Sequence, residues 1–417
     1  MDDVCTAMDD LNFMKYCYEN FDVNKDGKVS PSEANAVKIM NPTNKSINSL
    51  KGIGYFQNLE ELNVSNNNLV DLNITNNQKL KSLNCSNNKI SNLISNNIAL
   101  VTIICNNNQL TNLDVSKNNT LLSLSCNNNY LNTIDITKNN TLTTLSCDNN
   151  PLTSLDVRNT KLIKMIISGI QSSNLKIYGG TNLSQLQLGN TKLTNLDISN
   201  TELVSLDIIG HSSTNIIISR SVTLNDIFVN PGQLKSLDLN NCIALKVVHV
   251  TAGDVPVSYS TEFTTLNISG CIELSNLSIL NTKISNLDLS SNTKLSFFEC
   301  IGNSFLKSLD VTKNTKLIEL YCYGNIQLTS LDVSKNTKLT TLWCGNQLTS
   351  LDVSNNKILY ELNCRGNLLS VSSLNNLFKT LHSNSGNKRI IIGKNPGTES
   401  CDRSIAEAKG WAVRDTF

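Results

Sequence analysis

The sequence is short of the features that usually announce a function. Only three histidines, His211, His249 and His382, occur in 417 residues, and none shares a motif with a nucleophile. No GxSxG, HExxH or P-loop pattern appears, so the expectation is a chain without catalysis. Thirty-five basic against thirty-four acidic residues leave a net charge of +1, with no basic stripe to draw nucleic acid. No apolar run approaches the roughly 18 residues that a spanning helix needs. The opening, MDDVCTAMDD, lacks the charged start and apolar core of a secretory signal, which suits a cytosolic chain or one whose export signal is not in this sequence. Asn-Gly, the strongest two-residue hairpin signal, is missing although asparagine is abundant, so the corners turn a coil and do not fold back hairpins. Paired CxxC motifs are missing too, which argues against zinc.

What is present is periodicity. Of thirteen cysteines, Cys85, Cys105, Cys126 and Cys147 are separated by 20, 21 and 21 residues, and Cys300, Cys322, Cys344 and Cys364 by 22, 22 and 20. One unit, LxxLDVSxNxxLxxLxC, recurs from Leu110, Leu131 and Leu328. In each half of the unit apolar residues alternate, as in Leu331 and Val333 or Leu342 and Cys344, while Asp332 and Trp343 fall on the opposite parity. Such alternation predicts short strands with one face inward. A strand of three or four residues cannot bury that face alone, so successive units must stack. Asparagines such as Asn336 and Asn346 close each half; their amides suit backbone groups at a corner, and Asn tolerates the left-handed conformation.

These residues resemble leucine-rich repeat proteins, most closely the internalin type with a buried cysteine ladder, over residues 46–370. The resemblance implies a leucine-rich repeat solenoid of stacked parallel strands, mostly β, with a helical EF-hand-like N-terminal cap (residues 1–45) and an α+β C-terminal cap (residues 371–417). The pattern weakens between Leu162 and Glu262, where the cysteine column stops, and TAGDVPVSYSTEF (251–263) reads as an inserted loop. Cys242 and Cys271 stand where the corner asparagine is expected. An inward cysteine flanked by leucine is a small apolar packing residue rather than a metal or redox centre.

Stacks expose raw sheet edges, and both ends carry segments that would cover them. Leu11, Met14, Cys17, Tyr18 and Phe21 have helical spacing, and DVNKDGKVSPSE follows. Read as a twelve-residue calcium loop, this places Asp22, Asn24 and Asp26 at positions 1, 3 and 5, Gly27 at the turn, the Lys28 carbonyl at 7, Ser30 at 9 and Glu33 at 12. The loop resembles a single EF-hand, and the resemblance implies a structural Ca²⁺. Near the other end Leu374, Leu377, Phe378 and Leu381 mark an amphipathic helix, followed by RIIIG as a strand and SIAEAKG as a short helix before Trp411. The segment KNPGTESCDRSIAEAKGWAV resembles the closing segment of repeat proteins on gut-bacterial surfaces. Pairing of Cys364 with Cys401, or of Cys5 with Cys17, stays open at this stage.

Binding, not catalysis, is what the outward positions suggest. Asp114, Asp135, Asp156, Asp197, Asp238, Asp288, Asp310, Asp332 and Asp352 recur too uniformly to discriminate ligands and read as solvated carboxylates. The positions flanking the cysteine vary: Asn84, Ile104, Ser125 and Ser146 in early coils, then Glu299, Tyr321, Trp343 and Asn363, with Ile301, Tyr323, Gly345 and Arg365 after it. In a chain with 5% aromatics, Phe297, Tyr321, Tyr323 and Trp343 beside Glu299 and Arg365 have the composition of a binding hot spot. The expectation is a non-enzymatic surface recognition or adhesion module for a protein or glycan; the alternative is a structural spacer or assembly part joined through its calcium-loop end. The internalin resemblance implies an extracellular or envelope-bound location, with membrane attachment only through a lipid anchor outside this sequence.

Overall fold

The computed structural model describes residues 2–158, 160–170, 174–178, 183–198, 201–210, 215–218, 221–252, 262–345 and 347–416. Asn346, His211, the side chain of Asp197 and most of the expected insertion lie outside the described residues. The chain forms two compact units, residues 1–193 with 200–203, and residues 194–199 with 204–417.

In the first unit a parallel sheet begins at Ile39–Met40, which pairs with Glu61–Asn63, and continues through Ser82–Asn84, Thr102–Ile104, Ser123–Ser125, Thr144–Ser146, Lys164–Ser168 and Gln185–Gly189. The register stacks Leu62, Leu83, Ile103, Leu124, Leu145, Met165 and Leu186 in one inward row. Two residues on, Cys85, Cys105, Cys126 and Cys147 form a second buried row that Ile167 and Leu188 continue. The second unit repeats the plan with Ser205–Ile209, Asp226–Asn230, Val247–Thr251, Asn276–Leu280, Phe297–Ile301, Glu319–Tyr321, Thr341–Trp343 and Glu361–Asn363. There Ile208, Val229, Val250 and Ile279 occupy the row that Cys300, Cys322, Cys344 and Cys364 carry later, all buried. Within each unit the cysteine row thus changes in chemistry and not in geometry, because branched aliphatic side chains fill the same slot. Each fully buried aliphatic side chain contributes about 1.5–3 kcal/mol. Shorter parallel pairings line the opposite face, among them Asp71–Asn73 with Asn92–Ile94 and Ser236–Asp238 with Thr265–Asn267. The fold of both units is that of a leucine-rich repeat solenoid.

The corners divide between two neighbouring residues the two tasks expected of one asparagine. Asn128 takes the left-handed conformation at φ 54°, and Asn129 beside it spends its side chain on backbone groups. Its Nδ2 donates to the carbonyls of Cys105 (3.1 Å) and Cys126 (3.0 Å), and its Oδ1 accepts from Leu110 N (3.1 Å). In later coils glycine replaces the first of the pair, as with Gly324 (φ 77°) before Asn325, since a left-handed residue without Cβ carries no steric penalty. At the other corner Asn336 Nδ2 donates to the carbonyls of Val311 and Asn314, both at 2.9 Å, while its Oδ1 has no hydrogen-bond partner among the described residues. Cys271 does take such a corner position, its thiol donating to the Leu239 carbonyl at 3.2 Å.

The helix Leu11–Phe21 buries Phe13 and Cys17. This corrects the expected stripe, for Leu11 sits in the first turn and is 79% exposed. Asp10 caps the helix by accepting from Asn12 N and Phe13 N, and its other oxygen accepts from Asn48 N at 2.7 Å, which ties the helix to the first coil. Near the other end Val371–Thr380 buries Leu374, Leu377 and Phe378. The strands Lys388–Ile391 and Trp411–Arg414 extend the parallel sheet beyond Glu361–Asn363. All thirteen cysteines are free thiols.

Candidate functional site

Parallel pairing in register turns each outward position of the strands in the second unit into a column. Across the strands run Asp207, Phe228, His249, Ser278, Glu299, Tyr321, Trp343 and Asn363. Beside them, one inward residue earlier, run Asp226, Val247, Asn276, Phe297, Glu319, Thr341, Glu361 and Arg389. Of the expected ligand residues, Phe297, Tyr321, Tyr323 and Trp343 do meet. Ring centroids lie 5.8 Å apart for Phe297 and Tyr321, 5.3 Å for Tyr321 and Trp343 in an edge-to-face arrangement, and 6.0 Å for Tyr323 and Trp343.

The rings are less open than a hot spot of exposed aromatics would be. Phe297, Tyr321 and Trp343 are half-buried by one another, whereas Tyr323 is 37% exposed. Their polar edges are tied down: Tyr321 Oη donates to Glu319 Oε2 at 2.8 Å, and Trp343 Nε1 donates to Glu361 Oε1 at 3.1 Å. Arg389 donates to the same Glu361 oxygen at 2.7 Å. Burial, then the neighbouring Glu319, holds the Tyr321 hydroxyl protonated well above the usual phenol range. Glu299 accepts from Ser278 Oγ at 3.1 Å and pairs across the sheet with Tyr321. Arg365 is half-buried two coils beyond Tyr323, with Gly345 between them. A Cβ on Gly345 would lie 2.4 Å from the Arg365 carbonyl, so only glycine lets the backbones pass.

Reading only the positions beside the cysteine misses Glu319, Glu361 and Arg389. They belong to the third outward position, just before the inward leucine, which the same two-residue alternation would have flagged.

In the loop after Phe21 the side chains turn onto loop amides. Asp22 accepts from Asp26 N and Gly27 N, Asn24 from Asp26 N, and Asp26 from Lys28 N, at 2.9–3.1 Å. Gly27 adopts φ 84° at the turn. Glu33 acts as a clasp: Oε1 accepts from Val23 N (2.9 Å) and Asn24 N (3.2 Å), and Oε2 from Ser30 N (2.9 Å) and Ser30 Oγ (2.8 Å). The Ser30 bonds hold its carboxyl below the usual range. Among the described residues no three His, Cys, Asp or Glu side chains gather as a metal site. The donor set Asp22, Asn24, Asp26, Lys28 carbonyl, Ser30 and Glu33 is nevertheless all oxygen, which fits a hard cation if Glu33 leaves its clasp.

The outward aspartates are not merely solvated. Asp310 accepts from Thr312 N (2.9 Å) and Thr312 Oγ1 (2.6 Å), and Asp114, Asp135, Asp156, Asp238, Asp288, Asp332 and Asp352 each accept from the amide two residues on. They shape the turn that leaves each half-coil. The ladder thiols are inert by burial, which pushes Cys85 and Cys300 up to about 12. His382 bonds the Leu359 carbonyl at 2.6 Å and packs on Trp411, and His249 packs against Phe228.

No protein-family model and no curated protein matches the chain. Among solved structures, the functional domain of InlJ from Listeria monocytogenes, which includes a cysteine ladder, is 27% identical, with 94% of this chain and 82% of that chain covered and a TM-score of 0.48. A leucine-rich repeat protein of Leptospira interrogans is 18% identical over 92% of this chain and 97% of its own, with a TM-score of 0.45. An internalin, InlF, of Listeria monocytogenes is 18% identical over 94% and 84%, with a TM-score of 0.31.

Proposed function

We propose that the chain is a non-enzymatic recognition module of the cell surface that holds a protein or glycan on the outward sheet face of its second unit. One observation carries this reading: in a chain with 5% aromatic residues, Phe297, Tyr321 and Trp343 sit on adjacent in-register strands, Tyr323 follows two residues past its strand, and the four rings pack together. Aromatic rings with anchored polar edges offer rigid area at little entropic cost, which is the economy of a binding hot spot. Arg365 and Glu299 border the rings and would add charged contacts at the rim.

The ends serve the same reading as covers. The segments 1–45 and 371–417 would close the raw sheet edges, and Asp22, Asn24, Asp26, the Lys28 carbonyl, Ser30 and Glu33 would hold a structural Ca²⁺ in the first of them. The ion would add charge neutralisation to a loop whose shape the chain's own amides already set.

The test is capture of glycans and host proteins by the immobilised chain and by Trp343→Ala. A ligand lost with the ring, in a variant that still folds and melts cooperatively with no more than the roughly 2 kcal/mol loss expected for a half-buried ring, supports the reading. A variant that melts early yet captures normally makes the rings packing. Capture lost only in Asp22→Ala/Asp26→Ala makes the chain an assembly part joined at its N-terminal end.

A further inference from the structure

The sheet face of the second unit has a charge of its own. Its eight strands from Ser205–Ile209 to Glu361–Asn363 bear Asp207, Asp226, Glu299, Glu319 and Glu361 and not one lysine or arginine. The chain as a whole is balanced, at +1. The corresponding strands of the first unit are nearly uncharged, with Glu61 and Lys164 on outward positions. Among the described residues only Glu361 of the five is ion-paired, with Arg389; Lys246, one residue ahead of its strand, is a cation that Asp226 feels.

The carboxylates lie among the rings. Glu299 is the cross-strand neighbour of Tyr321, Glu319 that of Phe297, and Glu361 bonds the Trp343 indole. Ring faces attract cations through their quadrupole, and a carboxylate beside a ring deepens that potential. From Asp207 to Glu319 a polyanion, whether nucleic acid or an acidic glycan, would meet like charge; cations enter the sheet only beyond the rings, with Arg389 paired to Glu361 and with Lys388 and Arg414 on the closing strands.

Resting on the recognition reading above, we propose that the occupant of this face is a basic polypeptide segment of a partner protein, its lysine or arginine side chains set between the carboxylates and the aromatic rings. From the Asp226 strand to the Glu361 strand are six steps of ~4.8 Å, about 29 Å, which an extended segment of roughly nine residues spans. Glu299 and Glu319 each use Oε2 as an acceptor, and among the described residues Oε1 of each has no hydrogen-bond partner, which leaves it for an incoming cation.

The probe is a twelve-residue peptide of alternating lysine and serine, set against its glutamate counterpart and read by calorimetry and tryptophan emission. The lysine peptide is expected to bind and the glutamate peptide not, with affinity falling about tenfold between low and physiological salt, as exposed charge pairs are screened. Glu299→Gln/Glu319→Gln should weaken it about tenfold at an unchanged melting temperature, with Asp226→Asn as the second variant should that pair unfold. Equal binding of both peptides, or indifference to these substitutions, overturns the proposal. If a captured ligand needs Trp343 but the lysine peptide does not bind, the recognition surface stands and its basic partner falls. If nothing captured needs Trp343, both fall.

Discussion

The Trp343 indole N–H and the Arg389 guanidinium converge on one oxygen, Glu361 Oε1, at 3.1 and 2.7 Å, and Glu361 is 8% exposed. Trp343 thus has a structural duty beside its place among the rings. Trp343→Phe keeps the ring and removes one of the two donors, so it should cost about 1 kcal/mol in urea unfolding while ligand capture survives. Trp343→Ala should cost more, roughly 2 kcal/mol for a half-buried ring, and lose the ligand. Loss of capture in the Phe variant would move the binding energy from the ring face to the carboxylate.

The two asparagine corners ask for different chemistry. Asn336 is needed only as a donor to the Val311 and Asn314 carbonyls, and the chain itself places a thiol there in Cys271. Asn336→Cys or Asn336→Thr should cost about 1 kcal/mol, and Asn336→Asp about 3 or more, because the donor is replaced by a buried charge facing two carbonyls. Asn129 also accepts from Leu110 N, so Asn129→Thr should be the more damaging of the two threonine changes. Urea midpoints of the four variants decide the order.

Acid should loosen the turns. The hydroxyl of Thr312 and then its amide lower the Asp310 carboxyl beneath its ordinary 3.8. A group lowered on folding stabilises the fold fully above 3.8, and that contribution is lost as pH falls through the folded value. Asn73 makes the same two bonds to Thr75, at 3.0 and 2.6 Å, without a charge. Asp310→Asn should therefore keep the turn but be slightly less stable than the parent at neutral pH, and the two should converge as the parent loses its charge below pH 3.8. Parallel melting curves down the pH scale would remove the turn aspartates from the account of acid unfolding.

Calcium should act through Glu33. If the ion binds, Glu33 must release the Val23 and Asn24 amides, and addition of Ca²⁺ should raise the unfolding temperature and protect the 22–33 loop from hydrogen exchange. Glu33→Gln should abolish both effects. An equal calcium response from the Gln variant would assign any bound ion elsewhere.

Much of this was readable from the letters alone. A two-residue alternation inside a period near 21 identifies which leucines and cysteines face in, because a strand in register offers no other solution. The corners were less legible: Asn128 and Asn129 are the same letter with separate tasks, and only dihedral angle and hydrogen bonding tell them apart. Leu11 misled because a helix's first turn can point away from what its later turns bury. Glu361 escaped notice because its importance comes from Trp343 and Arg389, 18 and 28 residues distant, which only the stacking brings within reach.

Each coil hands on to the next the same donors and acceptors it received: Asn129 bonds its own Cys126 carbonyl and the Cys105 carbonyl before it, and Asn150 repeats the gesture with Cys147 and Cys126. A whole coil can therefore be duplicated or excised in the gene with its corner bonds still matched, and spacings of 20 to 22 residues between ladder cysteines show that a coil can also differ from the next by a residue without loss of register. Such a protein lengthens or shortens its reach in whole steps, and its binding face can be rewritten one rung at a time.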